Sequence, residues 1–153
     1  SAAHLRTSLG IGYAPEDRVI FPTLSVQENL ELPCEILQLS SQEVEERLAH
    51  VLDVVPQLKP MLSRSGAALS GGQGKMVALG RALMVGSAIV LLDEPFQGLA
   101  PALALQYSEA LGRLRTSRPD LSVVITESNS ALLTDIPNQI LTIERGSFVE
   151  AIH

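Results

Sequence analysis

Two short stretches of the sequence have the residue types and spacing of phosphate chemistry. Leu69-Ser70-Gly71-Gly72-Gln73 stands at a predicted loop-to-helix junction, where unpaired amides and the positive end of the helix dipole make an anion site. Glycines at 71 and 72 let the backbone come close to a phosphate, and the Ser70 hydroxyl can donate to one of its oxygens. The same pentapeptide also suits a glycine-rich helix cap that holds no ligand. Further on, Ile89-Val90-Leu91-Leu92 runs into Asp93-Glu94 at the carboxyl end of a predicted parallel strand, where open α/β sheets place their ligands. Asp93 suits a magnesium ion, held directly or through water, and Glu94 suits polarisation of an attacking water. An acidic pair would also favour the first turn of a following helix, but that reading leaves the apolar strand just before it unexplained.

These residues need strands and helices to hold them. A short apolar run over 9–14, followed by a polar loop, reads as a buried strand. Ser25-Val26-Gln27-Glu28 and Ser40-Ser41-Gln42-Glu43 have capping-box spacing, so helices should start near 25 and 41. In the second, Val44, Leu48, Val51, Leu52 and Val55 share one face; in the first, Pro33 should kink or split the helix. Residues 56–70 read as loop with at most a short helical turn, and a third helix should run over about 72–85 with Ser70 as its N-cap.

From there strand and helix alternate. The run 88–92 suits a strand buried on both faces of a parallel sheet. Pro101 starts a helix carrying Leu103, Tyr107, Ala110, Leu111 and Leu114 on one side, and a further strand follows over 121–126. A short helix around 130–135 and a hairpin turning at Arg145-Gly146 complete the chain. This is the grammar of an α/β fold. It divides into 1–22, belonging with the sheet, a helical part over 23–86, and an α/β part over 87–153.

Composition narrows the function classes. The 153 residues carry 11 basic and 17 acidic side chains, a net charge of −6, with 46% hydrophobic and 3% aromatic residues. That balance argues against general disorder and against a nucleic-acid groove, which needs a basic stripe and usually stacking rings. A lone cysteine, Cys34, has no intrachain partner for a disulfide. No apolar run approaches the length of about 20 residues that spans a bilayer, and the first residues lack the apolar core of a signal peptide. The chain is expected to be soluble and cytoplasmic.

Taken together, the two segments resemble the ATP-binding subunit of an ABC transporter. The signature over 69–73 matches in full, and the strand ending in Asp93-Glu94 matches the Walker B strand with its catalytic glutamate. Tyr13-Ala14-Pro15-Glu16 and the stretch from Phe21 to Leu30 look like the Q-loop and the start of the helical subdomain. Gly98-Leu99-Ala100-Pro101 occupies the D-loop position in wording similar to importers of branched-chain and other hydrophobic amino acids or related amides. The resemblance implies an incomplete P-loop NTPase domain of ABC type: a partial, mainly parallel sheet with helices, plus an α-helical subdomain. It also implies ATP and magnesium in a complete dimer. Ser70, Gly71, Gly72 and Gln73 would then face ATP bound to a second subunit, homo- or heterodimeric. Asp93 and Glu16 would serve the metal, and Glu94 and Ser128 would act catalytically on the same chain's nucleotide. Integral membrane permease subunits would be partners, with the protein peripheral on the cytoplasmic face of the bacterial inner membrane and no nucleic acid involved.

Several positions depart from that family. No Gly-x-x-x-x-Gly-Lys-Ser/Thr P-loop is present; Gly74-Lys75 is followed by Met76 and is a decoy. The chain therefore looks truncated ahead of Ser1, and alone it is expected neither to bind ATP tightly nor to hydrolyse it. Glu16 replaces the usual Q-loop glutamine, Ser128 the switch histidine, and Ala100 the D-loop aspartate, while Phe96 and Gln97 follow the Walker B segment in place of small or acidic residues. His4, His50 and His153 read as surface residues. In the family's sheet the missing P-loop strand would lie between the strand leading to Ser128 and the final strands. The first three strands could stay paired without it, and an exposed apolar edge would invite self-association. Two other classes compete: a DNA-repair type of ABC ATPase, disfavoured by the acidic charge and the lack of a coiled coil, and a non-catalytic module offering its signature to an intact partner.

Overall fold

The computed structural model describes residues 2–17, 20–133 and 140–152. A helix α1 (Ala2–Ser8) precedes strand β1 (Ile11–Ala14). Helices α2 (Val26–Ile36) and α3 (Ser41–Val54) follow, then 3-10 segments Pro56–Met61 and Gly66–Ala68 and helix α4 (Gly71–Val85). Strand β2 (Ile89–Asp93), helix α5 (Pro101–Ser117), strand β3 (Ser122–Thr126), a 3-10 segment Ser130–Leu133, and strands β4 (Ile140–Glu144) and β5 (Ser147–Ile152) complete the order.

Sequence and structure agree on why these elements begin where they do. Ser25, Ser40 and Ser70 each accept a hydrogen bond from the backbone N–H three residues on, and Glu28, Glu43 and Gln73 bond back to the cap amides. Three complete capping boxes thus set the starts of α2, α3 and α4. Helix α2 is not split as expected: it runs unbroken through Pro33 and ends three residues beyond it, because proline in the last turn removes only one internal bond and little helix remains to be lost. The sequence reading assigns no element ahead of the first strand, and the structure adds the short helix α1 there. Of the helix expected over 130–135, the structure has a 3-10 turn, and residues 134 and 135 lie outside the described residues.

Strands β1, β2 and β3 form one parallel sheet in that order, in register Gly12–Val90–Val123 and Ala14–Leu92–Ile125, with Asp93 opposite Thr126. Strands β4 and β5 form a separate antiparallel hairpin. One face of the parallel sheet is closed by α4: a side chain at Gly12 would strike the carbonyl of Ala82, and one at Gly86 would press on Val90. The opposite face carries Ile11, Tyr13, Ile89, Leu91 and Val124 without comparable cover; Tyr13, Ile89 and Val124 are exposed, and the Arg6 guanidinium lies 5.1 Å over the Tyr13 ring. Parallel sheets ordinarily have both faces buried. Among the described residues, β3 is an edge strand with Ser122, Val123, Val124 and Thr126 exposed. No helix among them is long and apolar enough to cross a membrane.

The core gathers Val26, Leu30, Cys34, Val51, Leu58, Leu79 and Met84 between α2, α3 and α4, and continues to Leu92 and Tyr107 beside the sheet. Arg47 of α3 donates to the Met84 carbonyl in the last turn of α4 (2.8 Å), and Arg113 of α5 to the Val54 carbonyl ending α3 (2.8 Å), cations placed where helices present unpaired carbonyls. Among the described residues, one polar side chain outside the aromatic core is fully buried. Asn29 accepts from the Phe21 amide (2.8 Å) and donates to the carbonyls of Phe21 (3.1 Å) and Ser25 (2.9 Å). It thereby fastens the segment leading into α2. Replacing it should orphan these groups, so Asn29→Ala is expected to lower stability by about 2–4 kcal/mol, read from the midpoint of chemical denaturation with an unchanged slope.

Candidate functional site

The carboxyl ends of β2 and β3 lie side by side and gather most of the acidic site. Asp93 ends β2, and its Oδ1 accepts a 2.5 Å hydrogen bond from the Thr126 hydroxyl of β3. Glu94 follows with a φ of 49°, left-handed for a non-glycine residue, a conformation that costs about 1–2 kcal/mol. Its amide donates to the Thr126 carbonyl (2.9 Å), continuing the β2–β3 ladder by one step. Its carboxylate accepts from the Ser128 amide (3.0 Å) and, more weakly, from the Ser128 hydroxyl (3.4 Å). The sheet thus brings Asp93, Glu94 and Ser128 together. Glu16, two residues beyond β1 at the same end of the sheet, is exposed. Among the described residues no group of three or more His, Cys, Asp or Glu could hold a metal. Asp93 and Glu16 are two carboxylates at one end of the sheet rather than a cage, which suits an ion that draws its remaining ligands from water and phosphate, as magnesium does.

Two residues that sequence reasoning passed over complete the acidic cluster. Glu127 accepts from the Phe96 amide through Oε1 (2.9 Å), while its Oε2 is buried with no donor aimed at it. Burial and a hydrogen bond to Glu94 push the Glu127 carboxyl up to about 7, against the pull of the Phe96 amide and Lys75. Glu94 moves the other way: its hydrogen bond with Glu127, then those from Ser128 and the charge of Lys75, hold it below the usual carboxylate range despite some burial. The pair therefore takes up a proton first on Glu127 and holds its negative charge preferentially on Glu94, the state a base needs. Lys75 reaches across from α4 and donates to the carbonyls of Glu94 (2.9 Å) and Gln97 (2.6 Å). Glu127 was findable, being an acidic residue just past a strand end; Lys75 was noticed only as a failed P-loop lysine.

The signature stretch sits at the head of α4. Ser70 accepts from the Gln73 amide (3.2 Å) and Gln73 Oε1 from the Ser70 amide (3.0 Å), so both side chains serve the cap. Gly71 is exposed and Gly72 half-buried; a side chain at 72 would meet the end of the Leu103 side chain of α5, which would have to move aside. Phe96, unexpected after the Walker B segment, is a core residue stacked edge-on against Tyr107 at 5.2 Å. His50 corrects the reading of all three histidines as surface residues: it is half-buried, meets the Ser117 hydroxyl at 3.1 Å, and is held below its ordinary pKa by burial and by Arg118. The His4 side chain and His153 lie outside the described residues.

Comparison with known proteins gives the family and the fold. The profile of the ABC transporter family matches residues 2–97. The probable branched-chain amino acid transport ATP-binding protein LivF of Archaeoglobus fulgidus is 31% identical over 143 residues, covering 94% of this chain and 59% of that protein. The high-affinity branched-chain amino acid transport ATP-binding protein BraG of Pseudomonas aeruginosa is 32% identical over 149 residues, covering 97% and 61%. The lipopolysaccharide export system ATP-binding protein LptB of Escherichia coli is 35% identical over 127 residues, covering 82% and 52%. Among solved structures, the ADP conformation of MJ1267, an ATP-binding cassette of an ABC transporter, superposes with a TM-score of 0.78 at 22% identity, over 97% of this chain and 62% of that one. The fold is that of an ATP-binding cassette, with a partial parallel sheet. The chain belongs to the ABC transporter family, and it spans about three-fifths of the length of the two branched-chain relatives.

The Glu94–Glu127 pair makes a pH prediction. Because the folded-state pKa of Glu127 is raised, its contribution to stability is complete below its ordinary value of 4.5 and is lost as pH rises through about 7. The thermal midpoint should lose this contribution between pH 5 and 8, and Glu127→Gln should flatten that part of the profile, measured by thermal unfolding of both proteins across the range.

Proposed function

We propose that this chain supplies the catalytic carboxylate and the signature segment of an ATP-hydrolysing subunit in an ABC import system, with branched-chain amino acids or related amides as cargo. The observation that carries the reading is Glu94. A glutamate in a left-handed conformation at the end of a parallel strand, charged and held by Ser128, is poised to orient and polarise a water against a phosphate. Asp93 and Glu16 would help hold magnesium, and Ser128 would fix Glu94 and approach the terminal phosphate. Ser70, Gly71, Gly72 and Gln73 would close on ATP bound to a second subunit through the amides at the head of α4. Magnesium would neutralise the phosphate charge. The residues that would cradle the phosphates of this subunit's own ATP are not in the sequence, so the 153-residue chain by itself should bind ATP weakly and turn it over negligibly.

The cargo is supported by the two branched-chain transport relatives and by the Gly98-Leu99-Ala100-Pro101 wording, although a lipopolysaccharide exporter is as similar over a shorter span. Membrane permease subunits, a second ATP-binding subunit and a place on the cytoplasmic face of the membrane follow from the same reading. The open sheet face and the β3 edge further support self-association of this chain.

In the complete subunit, Glu94→Gln is expected to reduce ATP turnover by about 10²-fold or more while leaving ATP binding in place, as read by phosphate release and by calorimetry; unchanged turnover would remove Glu94 from the mechanism. Calorimetry of the 153-residue chain should show no binding at micromolar ATP, and binding there would require a site outside the one described. Light scattering of the same chain should give a mass above that of a monomer, and a monodisperse monomer would dismiss self-association.

A further inference from the structure

Lys75 has no part in the reading given above, yet its side chain bridges α4 and the turn that carries Glu94. Its ammonium lies 2.9 Å from the Glu94 carbonyl and 2.6 Å from the Gln97 carbonyl. The turn needs such support. Glu94 is left-handed, Gly98 is left-handed again at φ 74°, and the backbone bonds that close the turn are long, Gln97 amide to Glu94 carbonyl at 3.3 Å and Leu99 amide to Phe96 carbonyl at 3.2 Å. A charged donor shared by two carbonyls is stronger than a neutral one. Lysine is also placed just past the first turn of α4, where the helix dipole does nothing to favour a cation, so its partners are these carbonyls rather than its own helix.

Glu94 is then fixed at three points: its amide by Thr126, its carboxylate by Ser128 and its carbonyl by Lys75. The first two belong to the sheet side of the site. The third belongs to the helix whose opening residues are Ser70, Gly71, Gly72 and Gln73. We propose that Lys75 is a positioning residue that ties the orientation of the Glu94 carboxylate to the first turn of α4, so that engagement of the signature segment is felt at the hydrolytic carboxylate of the same chain. This rests on the role assigned to Glu94 above and adds a residue and a route of coupling to it.

The clamp and its catalytic consequence can be tested separately. In the 153-residue chain, Lys75→Met should accelerate amide exchange over residues 94–99 by about tenfold and leave the peptides of α2 and α3 unchanged; unaltered exchange over 94–99 would overturn the clamp. In the complete subunit, Lys75→Met should lower kcat for ATP by about tenfold with KM held, and Lys75→Arg, which keeps a charged donor, should restore most of it. Turnover like that of the unaltered protein, or a loss that Arg does not rescue and that tracks the thermal midpoint, would overturn the positioning role. Glu94→Gln measured alongside separates the two readings: if the unaltered subunit has no ATPase activity for Glu94→Gln to abolish, the functional proposal fails, and the exchange experiment still decides the clamp.

Discussion

The seating of α4 on the sheet at Gly12 is the constraint from which the site follows. With no side chain at 12, the carbonyl of Ala82 comes directly against β1, locking the carboxyl half of the helix to the strand that pairs with β2. From Ala82 back to Lys75 the helix covers seven residues, about 10 Å. From Val90, the partner of Gly12, forward to Glu94 the strand covers four, about 13 Å. Helix and strand run in opposite senses, so these similar lengths bring Lys75 alongside Glu94. A bulkier residue at 12 would lift the helix and separate the two halves of the site at once.

Within the site, charge is distributed by contact rather than by composition. Four carboxyl groups, on Glu16, Asp93, Glu94 and Glu127, stand at the same end of the sheet in a chain already of net charge −6. Mutual repulsion is limited in two ways: Glu127 takes up a proton more readily than an ordinary carboxyl, and the Lys75 ammonium sits behind Glu94 on the backbone side, where it does not neutralise the carboxylate by pairing with it. Thr126 adds a neutral donor to Asp93. The outcome is a negative face open to a cation on one side and braced by hydrogen-bond donors on the other.

Much of this was legible in the sequence because it rests on local chemistry. Ser25, Ser40 and Ser70 announce their helices through capping residues three positions on, and the run into Asp93 announces a strand through its apolarity. Asp93, Glu94 and Ser128 were placed together by family resemblance, and the β2–β3 register explains why they meet. What escaped was long-range or nearly neutral in pattern. Lys75 acts on carbonyls 19 and 22 residues away, and no sequence rule links a helix lysine to a distant turn. Glu127 matters through a proton that only burial beside Glu94 fixes. Pro33 misled because proline's penalty depends on how much helix follows it.

The left-handed backbone at Glu94 sets fold and chemistry against each other at one residue. For the isolated fold, glycine or asparagine would sit there more comfortably. A chain selected only for folding, or only for docking to a partner, would find stabilising replacements at position 94 within easy mutational reach. Under the proposed function, the glutamate in that conformation is a position where some stability is given up for a carboxylate held at a particular angle. By the same token, inactive versions of this domain that arise under selection for robustness alone should tend to lose this side chain first, and to gain melting temperature as they do.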